Sequence, residues 1–143
     1  MRLNQVTLPA LDVAQSVAFY RKLGFTLIVD APHYARFQAT TGDATFSVEQ
    51  AEARAWRSQV VVYFECDSLD EQVAALKAKG IAFLQDPRDE PWLWREARLV
   101  DPAGNVICLY HAGENRLHPP WRVSTPLTTD DATLSSAHVT WTR

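Results

Sequence analysis

The fold of this chain is decided by the stretch Asp12-Val-Ala-Gln-Ser-Val-Ala-Phe-Tyr-Arg-Lys-Leu-Gly24, which has the features of one complete amphipathic helix. Its opening aspartate, with Gln15 three positions later, forms the capping-box pattern of a helix start. Val13, Val17 and Tyr20 follow at the spacing of one apolar helix face. The closing glycine stands where a left-handed backbone conformation costs little. The stretch therefore predicts a short helix with one buried face.

Strand patterns flank this helix on both sides. Residues 3–8 alternate between apolar and polar side chains, which is typical of a half-buried strand. Three extended stretches follow the helix, over 25–30, 34–39 and 44–50, and residues typical of turns separate them. The first third of the chain therefore predicts the order strand, helix, strand, strand, strand.

The second half repeats this order. Ser68 with Glu71 predicts the start of a second helix, and Gly80 predicts its end. The strands of this half are predicted over 59–66, 81–85, 95–100 and 105–111. A repeat of this length indicates two copies of one structural unit.

The spacing of equivalent landmarks supports the repeat. Asp12 and Asp67, at the two helix starts, lie 55 residues apart, and the two helix-ending glycines lie 56 apart. Gly42 and Gly104, in the last hairpin turn of each copy, lie 62 apart. The increase indicates an insertion before the second turn, over 87–94. Within it, the acidic cluster 86–90 is predicted to be a solvated loop.

These patterns predict an α+β fold with two tandem βαβββ modules, over about 1–50 and 57–111, in a single domain that spans 1–123. The two sheets are expected to join into a curved mixed sheet, a half-barrel with the helices outside and a concavity lined by the free sheet faces. The Thr- and Ser-rich tail, 124–143, is expected either to dock on the domain or to contact another subunit, with Trp121, Val139 and Trp141 as anchors.

Composition excludes several classes of protein. The chain has 143 residues and a formal net charge of −3, which gives no electrostatic reason to expect nucleic acid or an anionic membrane as a partner. No apolar run is long enough to span a bilayer, and the first residues lack the layout of a signal peptide. The two cysteines fit a reducing compartment. We therefore expect a cytoplasmic protein.

Three stretches together resemble the vicinal oxygen chelate superfamily, which includes glyoxalase I, the bleomycin-resistance proteins and the extradiol dioxygenases. The stretch 12–25 is similar to the first helix of that family, with its Phe-Tyr and Leu-Gly pairs, and 63–70 is similar to the strand that leads into the second helix. The stretch Asp101-Pro-Ala-Gly-Asn-Val-Ile107 is similar to its closing hairpin. The resemblance covers about 3–111 and implies a homodimer. It leaves the activity open, because one fold supports many functions.

The resemblance also implies where a divalent metal would be held. The family's ligand positions are occupied here by Gln5, Val61, Cys108 and, near the fourth, Ser47 with Glu49 two residues on. Valine has no lone pair for a metal, and Gln with Cys does not form a familiar set of metal ligands. The four histidines, at 33, 111, 118 and 138, show no metal-ligand spacing. The chain is therefore expected to have lost the metal site and to need no cofactor.

Strand alternation predicts which side chains face the concavity. If Gln5, Val61 and Cys108 point inward, the same parity also turns inward Thr7, Tyr63, Val106 and Tyr110. The side chains predicted to face the helices are Val6, Leu8, Val60, Val62, Phe64, Ile107 and Leu109.

The predicted insertion adds Trp92 and Trp94, either as part of a binding wall or as a seal at the barrel end or a dimer seam. Arg98 either pairs with neighbouring strands, as Glu96 does, or meets an anionic ligand. The candidate ligand-binding residues are Gln5, Thr7, Glu49, Val61, Tyr63, Trp92, Trp94, Arg98, Cys108 and Tyr110.

The expected function is that of a metal-free protein of the bleomycin-resistance type, which sequesters an aromatic or cationic small molecule in the concavity and so confers antibiotic resistance. The main alternative is an enzyme of the same superfamily, a lyase, isomerase or dioxygenase with a rearranged site around Glu49, His33 or His111. A third possibility is an interaction module whose tail fills the cavity.

Overall fold

The computed structural model describes residues 1–52 and 58–124. Val139 and Trp141, and with them the predicted docking of the tail, lie outside the described residues. The first module contains β1 (Gln5–Ala10), α1 (Val13–Lys22), β2 (Thr26–Ala31), β3 (Tyr34–Gln38) and β4 (Thr45–Gln50). The second contains β5 (Val61–Glu65), α2 (Leu69–Ala78), β6 (Gln85–Asp89), β7 (Arg95–Val100) and β8 (Val106–His111), followed by a short 3-10 helix, Gly113–Arg116.

The two modules have the same sheet topology. Their strand orders are β1-β4-β3-β2 and β5-β8-β7-β6, and in each the first strand pairs in parallel with the last. The remaining pairs are antiparallel. The predicted α+β fold with two tandem βαβββ modules is therefore confirmed, as two four-stranded sheets with one helix each.

Alternation along the strands separates the two sheet faces as predicted. One hydrophobic core collects the helix-facing side chains of both sheets, including Val6, Leu8, Val62, Phe64, Ile107 and Leu109. Cys108 and Tyr110 belong to a separate cluster on the other face, with Val61 and Tyr63 against it. Val60 was predicted to face the helices, and this is wrong. It precedes β5 and its side chain is 60% exposed.

The sixth strand differs from its prediction. β6 runs over Gln85–Asp89 rather than 81–85, so the cluster 86–90, predicted to be a solvated loop, supplies most of a strand. Pro87 is tolerated there because β6 is an edge strand, and the register shifts between Gln85 and Arg88. Arg88 donates a hydrogen bond to Glu90 at 2.7 Å, which neutralises part of the acidic cluster.

The helix starts are capped differently. The amide of Gln15 donates to the carboxylate of Asp12 at 3.2 Å, as the capping pattern predicts. Ser68 is the N-cap of α2, but its hydroxyl makes no capping hydrogen bond. The apolar face of α2, with Leu69, Val73 and Leu76 buried, is therefore held by packing rather than by its cap.

A buried polar junction joins the modules. The hydroxyl of Tyr20, on α1, donates to Asp101 at 2.7 Å, and Asp101 opens the turn between β7 and β8. The Asn105 side chain donates to the carbonyl of Pro9 at 2.8 Å. Beside them, the rings of Phe25 and Phe64 lie 4.7 Å apart between centroids. Burial, reinforced by the neighbouring carboxylate of Asp101, raises the pKa of Tyr20 far above its ordinary value, so its hydroxyl stays protonated.

The equivalent junction on the other side of the repeat is open. There Leu76 stands at the position of Tyr20, and Ala39 stands at the position of Asp101, so the hydrogen bond between side chains cannot form. A cavity of about 780 Å³ lies at this place, lined by the turn that precedes β4, by Gln72 and Leu76 of α2, and by Lys79 just after that helix. The two copies of the unit therefore contact each other asymmetrically.

The packing of α1 can be tested at Ser16, which lies on its buried face. Its hydroxyl is fully buried on α1 and has no hydrogen-bond partner among the described residues. We expect Ser16→Ala to raise the free energy of unfolding by about 1 kcal/mol, because alanine removes a desolvated polar group and favours the helix. Urea denaturation measures the change.

The matched control is Ser47→Ala. Ser47 is equally buried, but its hydroxyl bonds to Gln5 at 2.8 Å and to Tyr34 at 2.6 Å. This variant should therefore be destabilised. Equal destabilisation of the Ser16 and Ser47 variants would contradict the expectation for Ser16.

Candidate functional site

Three aromatic rings form a continuous cluster on the free face of the second sheet. Trp94 stacks on Tyr110 with 4.8 Å between ring centroids and an angle of 24°. Tyr63 meets both rings edge-on, at 5.8 Å from Trp94 and 5.5 Å from Tyr110. Offset and edge-to-face pairs of this kind are favourable arrangements of aromatic rings. We call this group, Tyr63, Trp94 and Tyr110, the aromatic cluster.

A fully buried carboxylate lies beside the aromatic cluster. Glu96, on β7, is 0% exposed. One of its oxygens accepts a hydrogen bond from the indole of Trp92 at 2.5 Å. The other accepts from Arg98 at 3.0 Å and from the Cys108 thiol at 3.4 Å. The charge of Glu96 is therefore matched inside the protein, as burial requires.

Arg98 lies between Glu96 and solvent. Its Nη2 donates to Glu96 and also to the hydroxyl of Tyr63, at 3.1 Å, and its guanidinium lies 5.9 Å from the centroid of the Tyr63 ring. The Arg98 side chain is 24% exposed. Glu96 and Arg98 were predicted to form cross-strand charge pairs, and this is wrong. They pair with each other, two residues apart on one strand, because β7 points both side chains to the free face.

Burial and charge shift two pKa values in this region. Burial raises the pKa of Tyr110, and the nearby carboxylate of Glu65 adds to the effect. Burial by itself lowers the pKa of Arg98, but the hydrogen bond to Glu96 and the neighbouring charges outweigh it, so the pKa rises. Tyr110 is therefore neutral and Arg98 cationic near neutral pH.

A tight turn presents the two tryptophans. The amide of Leu93 donates to the carbonyl of Glu90 at 3.0 Å. The amide of Glu90 in turn donates to the carbonyl of Trp94 at 2.8 Å. Leu93 takes a positive φ of 66°, which is uncommon for a residue with a side chain. The Trp94 indole is fixed by a 3.3 Å hydrogen bond to the carbonyl of Asn115. The predicted insertion is thus a short β6–β7 connection that aims both indoles at one face.

The free face of the first sheet is polar instead. Ser47, on β4, bonds to Gln5 and Tyr34, and Arg36 donates to the Tyr34 hydroxyl at 3.0 Å. The hydrogen bond with Ser47, followed by that from Arg36, lowers the pKa of Tyr34 despite partial desolvation. Gln5 is exposed on this sheet. We call this group, Gln5, Tyr34, Arg36 and Ser47, the polar network.

The ten predicted ligand-binding residues fall into two groups. Seven lie on the second module, namely Val61, Tyr63, Trp92, Trp94, Arg98, Cys108 and Tyr110. The other three lie on the first sheet, where Thr7 and Glu49 are exposed beside the polar network. Of the ten, only Tyr63 lines the cavity of about 780 Å³, so the cavity adjoins the aromatic cluster at this one residue and is otherwise lined by different side chains.

Sequence reasoning missed Glu96 as a site residue. The signal was present, because Trp94, just before β7, alternates with Glu96 and Arg98 on that strand, so the three share a face. From the sequence alone, an isolated glutamate in a strand is predicted to lie on the surface. Only the three donors around it show why this one can be buried.

The side chains at the family's metal positions do not form a metal site. Gln5 and Ser47 hydrogen-bond to each other, Val61 is apolar, and the Cys108 thiol donates to Glu96. Within 1–52 and 58–124, no group of three His, Cys, Asp or Glu side chains could hold a metal ion. The residues present therefore do not fit the divalent ion that the fold family often uses.

The histidines of the described chain are also dispersed. His111 is exposed and its Nδ1 lies 3.0 Å from the carbonyl of Cys66, while His118 lies 3.1 Å from Arg122. His33 is exposed, as is Glu49. The three residues named for a rearranged catalytic site, Glu49, His33 and His111, thus each have a solvent-facing position.

No helix in the described residues is long and apolar enough to cross a bilayer.

Comparison with known proteins agrees with this fold. Solved structures similar to this chain include a glyoxalase/bleomycin resistance protein/dioxygenase from Nocardioides, with 26% identity, 78% of this chain and 83% of the other covered, and a TM-score of 0.66. A bleomycin-binding protein complexed with bleomycin has 24% identity, coverage of 78% and 98%, and a TM-score of 0.62. Lactoylglutathione lyase from Agrobacterium tumefaciens has 19% identity, coverage of 82% and 96%, and a TM-score of 0.67.

No curated protein sequence gives a significant match. The family profile described as the Glyoxalase/Bleomycin resistance protein/Dioxygenase superfamily matches residues 2–109, which is most of the chain. That match covers the first module, the second module as far as Leu109 in β8, and the motifs that form the junction between Tyr20 and Asp101. The chain therefore belongs to the glyoxalase/bleomycin resistance protein/dioxygenase superfamily.

Proposed function

We propose that this protein binds a flat aromatic small molecule on the free face of the second sheet, without a metal, and sequesters it unchanged. The observation that carries the proposal is the aromatic cluster beside the internally neutralised Glu96–Arg98 pair. Tyr110 is only 6% exposed and holds the other two rings in place, whereas Tyr63 and Trp94 are partly exposed. Rings that are already ordered lose little conformational entropy when another ring stacks on them. An aromatic antibiotic is one compound class that such sequestration would make harmless, and a relative's structure holds bleomycin.

The site chemistry favours binding over catalysis. Glu96 is satisfied by three donors and is fully buried, so it offers no free base. The residues of the alternative, rearranged site are separate and exposed. General acid–base catalysis needs groups that converge on the reacting atoms. These observations support a binding protein over a lyase, isomerase or dioxygenase.

A homodimer would give the open face a second wall. The aromatic cluster lies on a sheet face, whereas small-molecule sites are concave. The free thiols, Cys66 and Cys108, suit a cytoplasmic location.

We propose that the partner subunit of the homodimer places its first sheet, with the polar network and Glu49, opposite the aromatic cluster. Sedimentation should show a species of twice the 16.1 kDa chain mass, and a purely monomeric protein would contradict the dimer.

Binding is tested with 2-naphthylmethanol, a neutral aromatic probe, by titration monitored through tryptophan fluorescence or calorimetry. We expect saturable binding and a loss of at least about fivefold in affinity for Trp94→Leu, because a stacked ring contributes on the order of 1 kcal/mol. The control is Phe83→Leu, an aromatic residue packed against the helix-facing core. Equal losses in both variants, or no binding to the folded protein, would contradict the proposed site.

A further inference from the structure

We propose that Arg98 makes this site selective for aromatic acids, with the ligand's carboxylate on the guanidinium and its ring against the aromatic cluster. The inference rests on the proposed function and adds the chemical class of the ligand. It also replaces the cationic guest expected from the sequence with an anionic one.

The order of the charges from the interior outward supports this selectivity. Glu96 is 0% exposed and its two oxygens accept from Trp92, Arg98 and Cys108. The guanidinium of Arg98 covers it and is itself 24% exposed. A ligand that approaches the face therefore meets the positive member of the pair first. A cationic ligand would need to displace Arg98 to reach the carboxylate.

Arg98 also retains hydrogen-bond donors for a ligand. Its bonds to Tyr63 and Glu96 both come from Nη2. Within residues 1–52 and 58–124, its Nε and Nη1 donate to no protein acceptor. Neither nitrogen belongs to the buried polar atoms that lack a partner, so both are accessible to a ligand. Guanidinium donors on two nitrogens match the two oxygens of a carboxylate. The ion pair with Glu96 holds the guanidinium in place, which lowers the entropy lost on binding.

The ring partner is close to this cation. The Arg98 guanidinium lies 5.9 Å from the Tyr63 centroid, and Tyr63 contacts both Trp94 and Tyr110. The cation and the ring surface are therefore neighbours, so a carboxylate attached directly to an aromatic ring could contact Arg98 while the ring contacts the aromatic cluster.

The experiment compares three probes of nearly equal size on the intact protein: 2-naphthoate, 2-naphthylmethanol and 2-naphthylmethylammonium. Calorimetry should give an affinity for the acid about tenfold or more above that for the alcohol, with the amine weakest, because a charge-assisted hydrogen bond contributes more than a neutral one. Higher salt should weaken only the acid.

Variants assign the effect to Arg98. Arg98→Met should remove the acid's advantage over the alcohol, and Arg98→Lys should restore part of it. The matched control is Arg95→Met, on the same strand, because Arg95 faces the other side and bonds to Asp70 at 2.9 Å. It should leave all three affinities unchanged.

The outcomes separate the two proposals. Equal affinities for the three probes, or a preference for the amine, would overturn the acid selectivity and leave aromatic binding intact. Binding of none of the probes by the folded wild-type protein would overturn both. The probe series on wild-type protein stays decisive if the Arg98 variants fold poorly.

Discussion

Replacing Asp101 by alanine is expected to lower the free energy of unfolding by about 3 kcal/mol or more. Asp101 is 3% exposed and accepts from the Tyr20 hydroxyl at 2.7 Å, from the Asn105 amide at 2.8 Å and from its side chain at 2.7 Å. A fourth bond comes from the Ala103 amide. Each buried donor left without an acceptor costs about 1–3 kcal/mol. A small domain has only about 5–15 kcal/mol in total, so chemical denaturation will show the loss clearly.

Two variants define the origin of this loss. Tyr20→Phe removes one of the four bonds and keeps the ring, so a smaller destabilisation of about 1 kcal/mol is expected. Asp43→Ala changes an aspartate in the hairpin of the first module, which forms only an exposed pair with Arg2 at 3.8 Å, and should change stability little. A similar small loss for Asp43→Ala and Asp101→Ala would show that the buried junction does not hold the modules together.

Replacing Glu96 by alanine should have the second-largest effect, a loss of about 2–4 kcal/mol in the free energy of unfolding. The substitution leaves the Trp92 indole without its acceptor and Arg98 with a half-buried, uncompensated charge. Glu96→Gln should be intermediate, because an amide keeps an acceptor oxygen but loses the charge. Thermal or urea unfolding gives the comparison.

The control for this prediction is Glu49→Ala. Glu49 is also a strand glutamate, on β4, but its side chain is exposed. Its removal should hardly change stability. If the double variant Glu96→Leu with Arg98→Met is as stable as wild type but binds no aromatic acid, the pair serves binding and is neutral for folding, as buried ion pairs often are. If Glu96→Ala alone is as stable as wild type, the described hydrogen bonds of Glu96 do not stabilise the fold.

Local sequence signals were sufficient for most of the fold. The helix over 12–24 has a side-chain cap, a regular apolar face and a terminal glycine, and each signal acts within a few residues. Strand alternation separated the two faces of β1, β5 and β8 correctly, because a period of two leaves no other solution once one face is apolar. The repeat then required the second module to follow the topology of the first.

The departures from prediction come from contacts distant in sequence. β6 forms over Gln85–Asp89 because β7 supplies its partner residues, although the acidic residues and Pro87 indicate a loop. Glu96 is buried because Trp92, Arg98 and Cys108 converge on it from two strands and a turn. Propensity and periodicity describe one segment at a time, so neither can show a charge that becomes neutralised by packing.

The site could be predicted only in part, for the same reason. The parity of Cys108 correctly placed Tyr63 and Tyr110 on one face, and Trp94 joined them. The sequence could not show which of the two charges is accessible to a ligand, because Glu96 and Arg98 lie two residues apart on one strand and point to the same face. Their burial decides it, with the carboxylate below and the guanidinium above.

The most direct test of metal-free aromatic binding is native mass spectrometry of the protein incubated with 2-naphthoate and excess Zn²⁺, Ni²⁺ or Mn²⁺. We predict a protein–naphthoate species whose mass contains no metal and whose abundance does not depend on the metal added. Naphthoate found only in species that also carry one metal ion per chain would contradict the account.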